Sequence, residues 1–240
     1  MNLEGVEMIN GRKMMFWRVA ALLALCASVV PLFAQKDEEK RLTNSASALQ
    51  QILSEDNGLP KTILDKGYCV IIFPDVKKVA INFGSSYGSG VLVCRKGAGM
   101  DGTWGAPAMY ALDMASLNLQ VGSTETDFVL VIASQKGVDQ VLHGKIKMGK
   151  SVVAATGPTG AHAASYNVPR GTDILTYARL KGPFAGVSLA RASMDNDEGA
   201  NKAIYGKDEG VKAIVQGSQA VVPAAQPLVD LLDKASPMRK

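Results

Sequence analysis

Residues 81–112, INFGSSYGSGVLVCRKGAGMDGTWGAPAMYAL, constrain this chain more than any other stretch. They read as strand, glycine turn, strand, loop and a second apolar segment. Ile81 and Phe83 alternate with Ala80, Asn82 and Gly84, the period-two pattern of a strand with one buried face. Gly84, Gly88 and Gly90 follow closely, and residues 91–93 resume a β-rich run. Glycine accepts positive φ and close backbone approach. The three glycines are therefore expected in a tight turn between packed strands, with Gly88 and Gly90 conformationally required. The other reading is an anion cradle of backbone N–H groups. Against it, the spacing is not that of a GxxxxGK[ST] phosphate loop, and no helix follows Gly90 to lend its dipole.

The segments around this stretch repeat its character. Residues 68–73, YCVIIF, form a buried strand, and Pro74 and Asp75 open a turn. Lys77 and Lys78 then sit near a hairpin tip. FVLVIA at 128–133 is a further strand, and 136–142 a short helix. Lys145, Lys147 and Lys150 flank Ile146 and Met148. In a strand, Lys145 and Lys147 share a face. They either meet lipid phosphates as point charges or guard an exposed sheet edge. Residues 151–156 form another strand. Residues 173–180 and 184–190 form a hairpin, 195–205 a helix ending at Gly206, and 223–234 a closing helix. Upstream, Leu42, Ala46, Leu49, Ile52 and Leu53 recur at helical spacing, followed by a short helix at Ile63 and Leu64. Turns, rather than regular helices, separate the β segments. The fold class is α+β: an antiparallel β-sheet or barrel-like core with N-terminal and C-terminal helices.

No linker-like change of composition divides residues 42–240, so they form one domain. The N-terminus has the arrangement of a signal peptide over 1–34. Arg12, Lys13 and Arg18 precede the apolar run VAALLALCASVV, then Pro31 and Ala34. That run is too short to span a bilayer; an uncleaved anchor is the alternative. A lipoprotein site at Cys26 is disfavoured by Leu25 before it. Residues 35–41 are expected as a flexible lead-in. The chain is accordingly expected to be exported to the periplasm or cell envelope, peripheral to the membrane. There Cys69 and Cys94, in strands that can be neighbours, either pair as a disulfide or serve as small buried apolar side chains.

The net charge of +4 permits an anionic partner without demanding one. Nucleic acid is not expected, since no arginine-rich or basic–aromatic segment occurs. The two histidines, His143 and His162, lie in no HExxH, HxH or cysteine-associated spacing, so neither metal nor cofactor is expected. The serines lack a GxSxG elbow, and no catalytic residue is assigned. Asp195, Asp197 and Glu198 suit a helix cap. Trp104, Tyr110, Tyr177, Phe184 and Tyr205 either fill the core or form a surface for acyl chains.

The motifs SYGSGVLV and TWGAPAMY resemble the SYLF domain family, a lipid-binding module of eukaryotic actin-patch and phosphoinositide proteins with bacterial relatives. KGYCVIIFPDVKKVAINFG (66–84), AATGPTGAHAA (154–164), ILTYARLKGPFAGVSLARASMDND (174–197) and NKAIYGKD (201–208) fit its pattern in the same order. The resemblance covers about residues 50–237. It implies non-enzymatic binding of anionic phospholipid, phosphoinositide-like or other, by an exported member. Lys77, Lys78, Lys145, Lys147 and Lys150 are the expected head-group contacts. In some eukaryotic members an N-terminal amphipathic helix contributes to membrane contact. The actin link belongs to eukaryotic relatives and is not expected of an exported protein. The alternative is an envelope structural or stress protein that binds a protein partner; a hydrolase with a purely spatial constellation is the third class.

Overall fold

The computed structural model describes residues 30–56, 58–77, 87–113, 125–158, 168–181, 189 and 192–240. Among them, helix α1 (Val30–Ser54) and helix α2 (Lys61–Leu64) precede the strands β1 (Cys69–Lys77), β2 (Tyr87–Cys94), β3 (Ala108–Asp113) and β4 (Glu125–Ile132). Helix α3 (Gln135–Leu142) leads to β5 (Lys145–Lys147), β6 (Ala154–Thr156), β7 (Ile174–Lys181) and β8 (Ser193–Asn196). Helices α4 (Glu198–Tyr205), α5 (Val211–Gln216) and α6 (Gln226–Ala235) close the chain, α6 entered through a 3-10 turn at Pro223–Ala225.

The strands form one curled, eight-stranded half-barrel in the order β5-β8-β3-β2-β1-β4-β7-β6. It is not a closed barrel: among the described residues, β5 and β6 are the outermost strands. Every pairing is antiparallel except β6 on β7, which is parallel. The period-two pattern explains the layers. Cys69, Ile71 and Phe73 enter one core with Leu92, Leu130, Val138 and Ile214. Val70 and Ile72, pointing the other way, enter a second core with Leu42, Leu49, Ile52 and Leu228. Both faces of the sheet are thus covered, which is why YCVIIF and FVLVIA are apolar throughout instead of alternating with polar residues. Helix α1 lies across β1 and β2 and against α4 and α6, so its apolar stripe packs on the domain.

Several expectations are corrected. Residues 35–41 are turns of α1, not a flexible lead-in, and Arg41 there pairs with Asp197 Oδ2 at 3.0 Å. Pro74 and Asp75 do not end their strand. They lie inside β1 where its register with β4 shifts between Phe73 and Val76, and Asp75 takes φ of 51°. The two residues form a β-bulge, a bend that a proline tolerates within a sheet. Residues 195–205 are not one helix: β8 runs to Asn196, and Asp197 caps α4 through Ala200 N–H at 3.1 Å. Of the expected hairpin at 173–190, β7 is present, paired with β4 and β6, and the second strand lies outside the described residues except for residue 189.

Gly88 and Gly90 are strand residues of β2, not turn residues, and neither has positive φ. Gly84 lies outside the described residues. What restricts Gly90 is space. A Cβ there would stand 2.2 Å from the Ile72 carbonyl oxygen and 2.4 Å from Phe73 Cδ1, on the stretch of β1 that leads into the bulge. At Gly88 the nearest obstacle is the Val76 Cγ2 methyl at 2.8 Å. Gly90→Ala should therefore cost on the order of 1–3 kcal/mol through overpacking, and more than Gly88→Ala, since a backbone oxygen yields less than a side chain. Urea unfolding of the two variants checks this; equal stability of Gly90→Ala and the parent chain would refute it.

Candidate functional site

The sheet register places the expected lysines. Lys77 pairs with Tyr87, Tyr87 with Asp113, Asp113 with Ser193, and Ser193 with Lys147. Lys77 and Lys147 therefore share one row at one end of the sheet. Four strand steps separate them, about 19 Å along the sheet, with Asp113 between. Lys78 lies outside the described residues. Lys145 and Lys147 are exposed on either side of buried Ile146, and Lys150 is exposed in the turn that follows, its N–H bonded to the Lys147 carbonyl at 3.1 Å. The fold thus brings Lys145, Lys147 and Lys150 together on the β5 edge and sets Lys77 apart. Lys145 Nζ stands 3.6 Å from Asp195 Oδ1 on β8.

A cleft of about 440 Å³ opens beside this edge, lined by His143, Lys145, Asp195, Asn196, Glu198 and Val211 among others. Both charge signs meet in it, so its carboxylates oppose an anionic ligand. Its lining contains no serine, threonine or cysteine to serve as a nucleophile beside His143. His162 lies outside the described residues. Of the aromatic residues, Trp104, Tyr110 and Tyr177 are buried, Tyr205 is half-buried, and Phe184 lies outside the described residues. Tyr110 donates its hydroxyl to the Val141 carbonyl, and burial, with the Asp195 charge, raises its pKa.

Next to the Lys77 row, an ionic network fastens α1 to the sheet. Asp127, fully buried, accepts Asp75 N–H at 2.9 Å, Lys181 Nζ at 3.0 Å and Arg179 Nη1 at 3.4 Å. Lys181 also bonds Asp75, Arg179 Nε meets Glu55, the residue after α1, at 2.7 Å, and Asn44 of α1 donates to Asp75 at 3.2 Å. Burial works to lower the Lys181 pKa, but the bonds to Asp75 and Asp127 outweigh it and raise it. Asp173, buried at the start of β7, ties three other segments. It accepts Ser134 Oγ at 2.6 Å, Val153 N–H at 2.8 Å and Lys136 Nζ at 3.2 Å.

The opposite end of the strands carries groups that the sequence did not signal. Arg95, at 0% exposure, donates Nε to Gly67 O at 3.0 Å, Nη1 to Ser236 O at 3.0 Å and Gly102 O at 3.2 Å, and Nη2 to Leu64 O at 3.3 Å and to Ser236 Oγ. Its guanidinium lies 4.2 Å from the centre of the Trp104 ring, whose Nε1 donates to the same Ser236 carbonyl at 2.9 Å. Ser236 Oγ passes a bond on to Asp65 at 2.6 Å. Beside this node Cys69 and Cys94, opposite each other in β1 and β2 and fully buried, are joined with sulfurs 2.07 Å apart.

With this geometry in hand, comparison with known proteins gives a consistent result. Residues 113–235 match the family described as Ysc84: Las17-binding protein actin regulator. The chain is 34% identical over 189 residues to protein YSC84 of Saccharomyces cerevisiae, an alignment covering 76% of this chain and 39% of that protein. It is 32% identical over 189 residues to LAS seventeen-binding protein 3 of the same yeast, covering 76% and 40%. To the human SH3 domain-containing YSC84-like protein 1 it is 25% identical over 203 residues, covering 82% and 58%. The chain spans about two fifths of the length of the yeast relatives.

Two expectations follow from these clusters. Arg95→Lys offers three donors where five are used, leaving buried carbonyls unpaired. It should destabilise the fold by about 3–5 kcal/mol and release residues 236–240 to limited proteolysis; an unchanged melting temperature and an intact tail would refute the assignment. At Asp173, burial favours protonation, but the bonds from Ser134, Val153 and Lys136 outweigh it and hold the pKa below the usual carboxylate value. A depressed folded-state pKa contributes stability above the unfolded value, about 3.9, and loses it as pH falls through the folded value. Asp173→Asn should therefore be less stable than the parent at pH 7 and lose less stability on acidification below about pH 4. Parallel acid-unfolding curves would contradict this.

Proposed function

This chain belongs to the Ysc84 family, and from that premise we propose that it is a non-enzymatic module that binds anionic phospholipid while exported to the cell envelope. The observation that carries the reading is the β5 edge. Lys147 and Lys150 are exposed there with no acidic partner among the described residues, next to Lys145. Each cation of this kind near an anionic leaflet contributes about 1 kcal/mol of binding, while leaving it solvated costs the fold little. Export is supported by the basic and apolar order of residues 1–34 and by the Cys69–Cys94 disulfide, a bond that persists in oxidising compartments.

A second reading, a protein partner in the envelope, is favoured by one feature. Among the described residues the sheet ends at β5 and β6, edges to which an extended segment of another chain can add. Relatives named for binding Las17 fit a protein-binding role of the family.

Lipid binding is tested by co-sedimentation with vesicles of neutral lipid with and without phosphatidylglycerol. The parent chain should bind the anionic vesicles, lose binding as salt rises, and weaken when Lys77, Lys78, Lys145, Lys147 and Lys150 are all replaced by glutamine, with folding nearly unchanged. No binding to anionic vesicles at low salt would sink the lipid reading and leave the protein partner.

A further inference from the structure

We propose a separate bilayer contact at the Arg95 end of the strands, centred on Met238; it rests on the lipid reading above and names a different surface for it. Among the described residues the large exposed hydrophobics are Met238, at 60% exposure, and Val153. An exposed methionine on a frayed tail would mean nothing, but this one is fixed from both sides. Before it, Ser236 is locked by Arg95, Trp104 and Asp65. After it, Arg239 N–H donates to the Asp101 carbonyl at 3.1 Å and Lys240 N–H to the Asp65 carbonyl at 2.8 Å. The Arg239 guanidinium lies 4.0 Å from the Tyr68 ring centre and bonds the carbonyls of Met100 at 3.1 Å and Gly99 at 3.2 Å. The backbone is held on the protein while the thioether stands in water.

Cations surround it. Lys61 bonds the Ala235 carbonyl and pairs with Asp65 at 3.3 Å; Lys240 approaches the same carboxylate at 3.8 Å. Lys234 is exposed in the last turn of α6, and Lys96 is exposed where the 95–104 hairpin begins. The carboxylates here are Asp65, Asp101 and Asp233. Asp65 is buried and shared by two lysines, and Asp233 is engaged by Trp104 N–H at 2.9 Å. Asp101 is exposed; against these three carboxylates stand Lys61, Lys96, Lys234, Arg239 and Lys240, so the local charge is positive around the apolar tip. That pairing fits an anionic bilayer: the tip enters the acyl boundary while the ammonium groups meet phosphates. A soluble anion would use the charges and leave the methionine without a role. Strand length puts this contact about 25 Å from the Lys77–Lys147 row, so the two surfaces can be tested independently.

The full chain and two variants decide it. Lys234→Gln/Met238→Ser/Lys240→Gln removes the tip and two cations but keeps the backbone bonds of residues 236–240 and the Arg95 node; its melting temperature reports the fold. Met238→Trp, made in a Trp17→Phe background, places a fluorophore at the tip beside one other tryptophan, the buried Trp104. Vesicles of neutral lipid with phosphatidylglycerol are the probe, and neutral vesicles the control. The triple variant should bind anionic vesicles at least about 30-fold more weakly, about fivefold per lysine before the tip is counted. Met238→Trp emission should shift to the blue with anionic vesicles only. If the parent binds while the triple variant binds equally and the emission does not move, the contact is overturned and lipid binding stands. If the parent fails to bind, both readings fall together.

Discussion

A guanidinium with no exposure to water organises one whole end of this protein. An unpaired charge in such a place would be prohibitively costly, and Arg95 is instead paired through all of its N–H groups. The acceptors come from α2, from the turn before β1, from the 95–104 hairpin and from the residue that ends α6. Segments far apart in sequence are thereby held at fixed spacing around one planar fork, a geometry that lysine cannot supply. Burial lowers the pKa of Arg95 to about 10, so it remains a cation at neutral pH. The Cys69–Cys94 bond ties the two strands between which the node sits. The node anchors Ser236, and the bonds of Arg239 and Lys240 to Asp101, Met100 and Asp65 carry the rest of residues 236–240 along the protein from that anchor.

The second constraint is a sheet covered on both faces. Helices α3 and α5 close one side, and α1, α2 and α6 the other. Among the described residues, the outermost strands of this half-barrel are β5 and β6. The β5 edge is three residues long and carries Lys145 and Lys147 outward. Short length and lysines are both ways of discouraging edge-to-edge association. The same lysines are the cations that the proposed lipid reading uses, so one placement would serve both purposes. On the α1 side, Asp127 is fully buried between Arg179 and Lys181, and through Glu55, Asn44 and Asp75 the network reaches the helix. The helix is fastened by charge as well as by its apolar stripe.

How much of this was legible follows the range of the signal. Periodicity is local, so the helical spacing of Leu42, Leu49 and Ile52 and the strands at YCVIIF and FVLVIA could be read directly, and with them the α+β class. The failures were of two kinds. Pro74 and Asp75 carry turn chemistry, as do Gly88 and Gly90, but the sheet absorbed the first pair as a bulge and needed the second pair for closeness to that bulge. Asp195 and Asp197 are equally local, and a cap looks the same whether a strand or a helix precedes it. The other kind was long-range. Arg95, Asp65, Ser236 and Arg239 are unremarkable in sequence, and only the laying of residues 235–239 onto Lys61, Asp65 and the 95–104 hairpin brings them together. The five lysines illustrate the same limit: their types were visible, whereas the four-strand separation of Lys77 from Lys147 depends on the strand order.

Magnitudes decide which surface can meet a bilayer without dismantling the fold. If α1 left the sheet, its own face, Leu42, Leu49 and Ile52, would regain burial among acyl chains. The sheet would not: Val70, Ile72, Val91 and Val93, all at 0% exposure beneath the helix layer, would face water. At about 1.5–3 kcal/mol per side chain, that exposure is comparable with the entire stability of an ordinary domain, about 5–15 kcal/mol. The Asp75–Asp127–Lys181 network would lose its helix partners as well. An intact surface bearing two or three cations gains about 1 kcal/mol from each and loses nothing from the core. Membrane contact through groups already outside, with α1 left in place, is therefore the lower-energy route for this fold.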